Sequence, residues 1–373
     1  MTEVAQPASE TTLPQQEKFE QLEHLLDELG IPKRYIGEIR SNVESLAKYF
    51  GPVEKLMEQL GFEEKLGKLR EDCLECELVQ PNVVGDQPGN IFTATDGTEY
   101  PVPFPGYREF LDAVKGMPPE QLALLGAKLK LLGAEQQTGF QPDLHVELTG
   151  ANFGSIIEAL DKQTRKYGKS NDLFCLGDPE VKQDGLLYDG VKLKDAYCWD
   201  EWKNSAGHLL QTPSGLQSQD AIVANDPSRA HRIVILDGVP TIPHRPEGDS
   251  TPVVTGTSGS DNDALTRHQR TGGSSVNDTE ALLKNDPAYA LEQCESLFGS
   301  ASLATLTMHR TQGGVLADYN SMKDCARRAG GSRSSSGHVG YFCWDRGGGR
   351  FRADWDYPED KEGDAVPSVV RVS

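Results

Sequence analysis

The spacing of apolar residues changes partway along this chain, and the change limits the folds open to it. Phe19, Leu22, Leu25, Leu26 and Leu29 share one helical face, with Gly30 after them as a cap. Ile36, Ile39, Val43, Leu46 and Phe50 repeat the spacing up to Gly51-Pro52, and Val53, Leu56, Met57 and Leu60 repeat it up to Gly61. From residue 143 the period shortens. "DLHVELTG" alternates like a strand, and "HRIVILDGVPTI" is the strongest buried-strand signal in the chain. A chain that is helical first and strand-rich later predicts an α+β protein.

The segments between these patterns divide the chain. Residues 1–16 are polar and rich in Pro, Gln and Thr, which predicts a disordered lead-in. A helical bundle is expected over 17–76. The first and third helices match at an offset of 31. That offset fits either a helical repeat offering a groove or two similar helices in a small bundle, and two copies are few for a solenoid. Residues 77–142 combine a hairpin at Asp96-Gly97 with helices split by Pro118-Pro119. A mixed α+β middle domain is expected over 143–242. Residues 243–277, rich in Gly, Ser, Pro and Asp, predict a linker or long loop. A sheet-rich C-terminal module is expected over 278–373. In it "SLATLTMHR" fits a strand, "DYNSMKDCARRAGG" a helix capped by Gly330, and "HVGYFCWDR", "GRFRADWDY" and "SVVRVS" three closing strands.

Cys-Trp-Asp occurs twice, at 198–200 and 343–345, each time after an aromatic residue. Neighbours on a strand point to opposite faces, so the three side chains do not share one pocket. The motif predicts Trp on one face, a small buried Cys on the other, and Asp ending the strand. A duplication of 143–240 in 276–373 is the alternative.

The chain has 373 residues and a net charge of −20. A field of that sign repels phosphate backbones and anionic membrane surfaces, so neither nucleic acid nor membrane is an expected partner. The first residues are neither basic nor apolar, and no stretch approaches a membrane span. A soluble cytoplasmic protein is expected; release within a virion would need no signal either. The odd count of seven cysteines is unlike a secreted disulfide scaffold.

Chemical motifs are sparse. Cys73 and Cys76 form a CxxC at a helix end, with no second pair to complete a zinc site. There is no HExxH, no GxSxG and no phosphate-binding loop. Asp354, Asp356, Asp360 and Asp364 begin a calcium-like pattern that Pro358 and Lys361 interrupt. No cofactor is expected. The basic concentration lies at 327–352, where Arg333, Arg346, Arg350 and Arg352 are interleaved with Tyr341 and Trp344. Arg, Tyr and Trp on Gly/Ser-rich loops favour recognition. Were there catalysis, Cys343, His338 and Asp345 would be its first candidates, in a cleft between the last two domains.

The C-terminal third resembles the C-type-lectin-like modules of bacterial and phage proteins. "DCARRAGG", "GYFCWD", the Gly/Arg hairpin and the terminal "VPSVVRVS" carry the resemblance, while the Gly-Gly-Ser-Trp of those modules departs here to Gly-Gly-Ser-Arg. The resemblance implies a small sheet whose loops bind a ligand. The sequence therefore predicts a non-enzymatic binding or scaffold protein. Its partner would be a protein, a small molecule or a glycan, and its N-terminal helices could mediate self-association.

Overall fold

A computed structural model describes residues 53–81, 88–118, 121–122, 125–126, 142–170, 173–175, 193–237, 275–286, 289, 291–315, 325–345, 348–360 and 366–371. The lead-in, most of the N-terminal bundle and the linker expected at 243–277 therefore lie largely outside the described residues. The protein is mixed α+β.

Helices α1 (Val53–Gln59) and α2 (Phe62–Glu75) come first, joined through Gly61 at φ 69°. That left-handed conformation costs glycine little. The hairpin β1 (Gly89–Thr93) and β2 (Glu99–Pro103) turns at Asp96-Gly97, where the Asp96 carboxylate accepts from Thr98 N at 2.9 Å. Helix α3 (Tyr107–Lys115) ends on Gly116, ahead of Pro118. Strand β3 (Pro142–Glu147), helix α4 (Phe153–Ser170) and strand β4 (Phe174–Cys175) follow. Next come β5 (Tyr197–Cys198), β6 (His208–Thr212), β7 (Gly215–Ser218), α5 (Gln219–Asn225) and β8 (Arg232–Asp237). The last part holds α6 (Val276–Asn285), β9 (Glu292–Cys294), α7 (Leu297–Thr311), β10 (Gly314–Val315), β11 (Cys325–Ser334), β12 (Val339–Asp345), β13 (Arg350–Asp356) and β14 (Ser368–Arg371).

Two sheets carry the fold, and both mix strands from the two regions expected to be separate domains. The four-stranded sheet has the order β3-β8-β14-β9, and the six-stranded sheet the order β5-β13-β12-β11-β6-β7. Residues 143–237 and 275–371 thus interleave in both sheets. The larger of two apolar clusters runs from Met57 and Phe62 through Ile156 and Phe298 to Trp344 and Val370, and the smaller gathers Val276, Leu283, Tyr289, Cys294, Val339 and Val366.

Helix α7 lies at the centre, and it corrects the strand expected at "SLATLTMHR". Leu297, Phe298, Ala301, Ala304, Leu306 and Met308 are all buried, as are Ser300, Ser302 and Thr305. A helix apolar on every side shows no 3.6-residue stripe, so its period is hidden. Ser296 caps it, accepting from Gly299 N at 3.2 Å. Of the helix expected over "DYNSMKDCARRAGG", the described part from Cys325 onward belongs to strand β11. Gly330 and Gly331 serve close approach there: a Cβ on Gly331 would stand 2.5 Å from the Cys294 carbonyl oxygen. Gly331 N donates to Glu295 O at 2.8 Å, which ties the two sheets together.

Charged side chains lock this centre. Glu147 is wholly buried, accepts from Ser296 N and Oγ at 2.9 and 2.8 Å, and lies 3.1 Å from Arg371 Nε. Burial by itself raises its pKa, but the Arg371 and Arg232 guanidiniums and the Ser296 donors outweigh that and hold the carboxyl below its ordinary value. Arg327 reaches Glu295 at 2.8 Å, and Ser300 Oγ donates to the same carboxylate at 2.7 Å.

Candidate functional site

The arginine surface expected from the sequence is divided between core and surface. Arg333 is buried against Glu280 at 2.6 Å, and Arg328 is buried 2.9 Å from Asp356. Arg352 bonds Asp354, and Arg350 lies 4.0 Å from Asp345. The Arg350 and Arg352 guanidiniums also sit over the Tyr197 ring at 5.5 and 5.7 Å. Trp344 is fully buried and Tyr341 half-buried. Arg346 lies outside the described residues. These cations pair with carboxylates of the same chain, while the Arg350 and Arg352 side chains stay 33% and 38% exposed.

The proposed dyad does not assemble either. Cys343 is buried inside β12, facing Arg352 in register on β13. His338 precedes that strand, about 16 Å away at the rise of a strand. Its Nδ1 is 2.8 Å from Ser336 Oγ. Asp345 accepts from Gly348 N at 2.7 Å and closes the β12–β13 turn. Of the calcium candidates, Asp354 and Asp356 are in ion pairs, and the Asp360 carbonyl accepts from Arg328 Nη1. Asp364 lies outside the described residues, and among the described residues no cluster of three metal-ligating side chains occurs. Cys73 and Cys76 are both buried, and desolvation pushes the Cys76 thiol up to about 12.

The two Cys-Trp-Asp runs share one sheet, with β13 between them. Cys198 pairs with Ala353, and Ala353 with Phe342. As expected, Cys198, Cys343 and Trp344 are buried. Trp199 instead leaves the strand and opens a 3-10 turn at Asp200–Lys203, held by Trp199 N donating to Ala353 O at 2.8 Å.

What the tertiary structure builds here is an aromatic ladder from core to surface. Phe153 packs on Phe298 at 5.0 Å between centroids, Phe298 on His208 at 4.9 Å, and His208 on Trp202 at 5.0 Å. Trp202 meets Trp199 at 5.3 Å. Trp199 then meets His338 and Trp355, each at 5.9 Å. His338 stacks against Trp355 at 4.3 Å, and Tyr357 lies 5.2 Å from His338 and 5.4 Å from Trp355. The inner end is sealed: Trp202 and His208 are wholly buried, and Trp202 Nε1 donates to Asp354 O at 2.8 Å. The outer end is open, with Trp355 37% and Tyr357 47% exposed.

Local structure explains the opening. Phe351, Ala353 and Trp355 alternate on one face of β13 and cross from core to rim as the strand advances. Ser334, Ser336 and Gly337, the last at φ 91°, form the turn that brings His338 over Trp355. His338, a catalytic candidate in the sequence, sits among these rings. Sequence reading missed Trp199, Trp355 and Tyr357 as a group because Trp199 lies far away in the chain; the alternating "FRADWDY" was the available signal.

A cleft of about 510 Å³ lies between α6, β9 and the end of β6, lined by Gln211, Asn277, Glu280, Lys284 and Glu292. Its carboxylates serve the fold: Glu280 pairs with Arg333, and Glu292 accepts from Ser368 Oγ at 2.8 Å. Among the described residues no helix is long and apolar enough to cross a membrane. Comparison with protein-family models, with characterised proteins and with solved structures found no match, so the aromatic outer end is characterised by its own geometry.

Proposed function

We propose that this is a non-enzymatic binding protein whose contact face is the outer end of the ladder: Trp199, His338, Trp355 and Tyr357. One observation carries the reading. Trp355 and Tyr357 are exposed side by side, and their rings are held in place by His338 and by Trp199, which stands on buried Trp202. Large rings fixed before binding give contact area at little cost in conformational entropy. Trp and Tyr are also the side chains that dominate recognition energetics. The buried state of Cys343 and its separation from His338 speak against nucleophilic catalysis, which needs thiol and base within hydrogen-bond reach.

The test is a titration of the full chain and of a Trp355→Ala, Tyr357→Ala double variant, followed by NMR of the indole N–H groups. Three probes are used: hexa-arginine, hexa-lysine and cellohexaose. At least one should shift the Trp355 and Trp199 signals of the wild type, and the double variant should lose that probe's binding. If no probe depends on these two rings, the reading is overturned.

A further inference from the structure

We infer that the ligand of this face is a basic peptide segment, with an arginine side chain stacked on Trp355 and Tyr357. The inference rests on the aromatic face being the contact surface. Three observations select a cation over a neutral or anionic ligand.

The first is ring geometry. Trp199, Trp355 and Tyr357 all lie within 4.3–5.9 Å of the His338 ring, and adjoining planes are tilted by 45° and 85°. Trp355 and Tyr357 meet edge to face and both are partly exposed, so each offers part of its ring to a ligand from solvent. A guanidinium or ammonium within about 6 Å of a Trp or Tyr face is attracted by the ring quadrupole. The same chain uses this contact already, where Arg350 and Arg352 sit over Tyr197.

The second is the rim. The Asp200 carboxylate, next to Trp199 in the chain, is 95% exposed although Lys203 touches it at 3.1 Å. Glu359 stands exposed two positions beyond Tyr357. Arg328 and Arg352 are engaged with Asp356 and Asp354.

The third is the field of the whole chain. At a net charge of −20 it draws in cationic partners and repels phosphates. Arginine fits better than lysine because its planar guanidinium stacks on a ring while still donating to flanking carboxylates.

The titration separates the outcomes. At physiological salt the full chain should bind hexa-arginine about fivefold tighter than hexa-lysine, an excess that attraction between net charges alone does not produce. The double variant should reduce hexa-arginine to the hexa-lysine level, and Asp200→Asn should weaken both. Circular dichroism controls for folding, and both replaced rings are partly exposed. Equal affinity for the two peptides, or an arginine preference that survives in the double variant, overturns the inference. Cellohexaose binding lost in the double variant, with neither peptide depending on the rings, overturns it too but leaves the aromatic face standing as the contact surface. If no probe depends on the rings, both fail.

Discussion

Trp202 and Trp355 are linked through Trp199, at 5.3 Å on one side and 5.9 Å on the other, yet the first is wholly buried and the second over a third exposed. One aromatic file therefore serves the core at one end and solvent at the other. Trp202→Ala should cost about 3–5 kcal/mol, the range for emptying a buried aromatic site. Trp355→Ala should cost under about 1 kcal/mol. Urea midpoints of the two variants check this; equal losses would mean that Trp355 belongs to the core.

The Glu147 carboxylate is the counter-charge of two buried arginines. Glu147→Gln should destabilise by about 3–5 kcal/mol, because Arg371 and Arg232 are left buried without it. Adding Arg371→Met to that variant should recover part of the loss. Chemical denaturation of both measures the recovery, and no recovery would show that the cost lies elsewhere.

Stability should fall steeply on mild acidification. Burial depresses His145 to about 4 and both His208 and His231 to about 3. An unfolded histidine titrates near about 6.5. Below that pH the unfolded chain takes up protons that the native chain refuses, so stability drops as pH falls. Each histidine contributes about 1.4 kcal/mol per pH unit, and the three together about 4. The window runs from pH 6.5 down to the native values. Urea midpoints at pH 7.5 and 5.5 should differ sharply; a flat profile would count against neutral burial of these rings.

Cys73, Cys76, Cys198, Cys294 and Cys343 are buried, and desolvation pushes the Cys198 thiol up to about 12. Reaction requires the thiolate and access to it. Peptide mapping after brief iodoacetamide treatment should find these five unmodified in native protein and modified in urea. Rapid native labelling of Cys343 would reopen the catalytic reading.

Gly331→Ala should cost about 3 kcal/mol, since its Cβ would press on backbone atoms of Cys294 and Glu295. Gly337→Ala meets nothing within 4 Å and bears only the strain of φ 91°, about 1 kcal/mol. Thermal melts should rank the two in that order.

Much of the local structure was legible. The alternation of "DLHVELTG", the apolar run "HRIVIL", the Asp96-Gly97 turn and the closing strands all stand where the residues placed them, because each signal acts within a few positions. Two elements were read in reverse for separable reasons. Helix α7 is buried all round, which erases its period, and the glycines of β11 answer a contact with β9 that lies far off in the chain.

The sequence by itself determined the α+β character, the sign of the long-range field, the burial of Cys198, Cys343 and Trp344, and the absence of familiar catalytic motifs. Only the tertiary structure decided which carboxylate each arginine pairs with and that Trp199 joins His338, Trp355 and Tyr357. Local spacing records which face of an element is apolar. Which carboxylate meets which guanidinium, and which rings converge, depends on pairing strands more than a hundred positions apart, and no pattern within either strand encodes that.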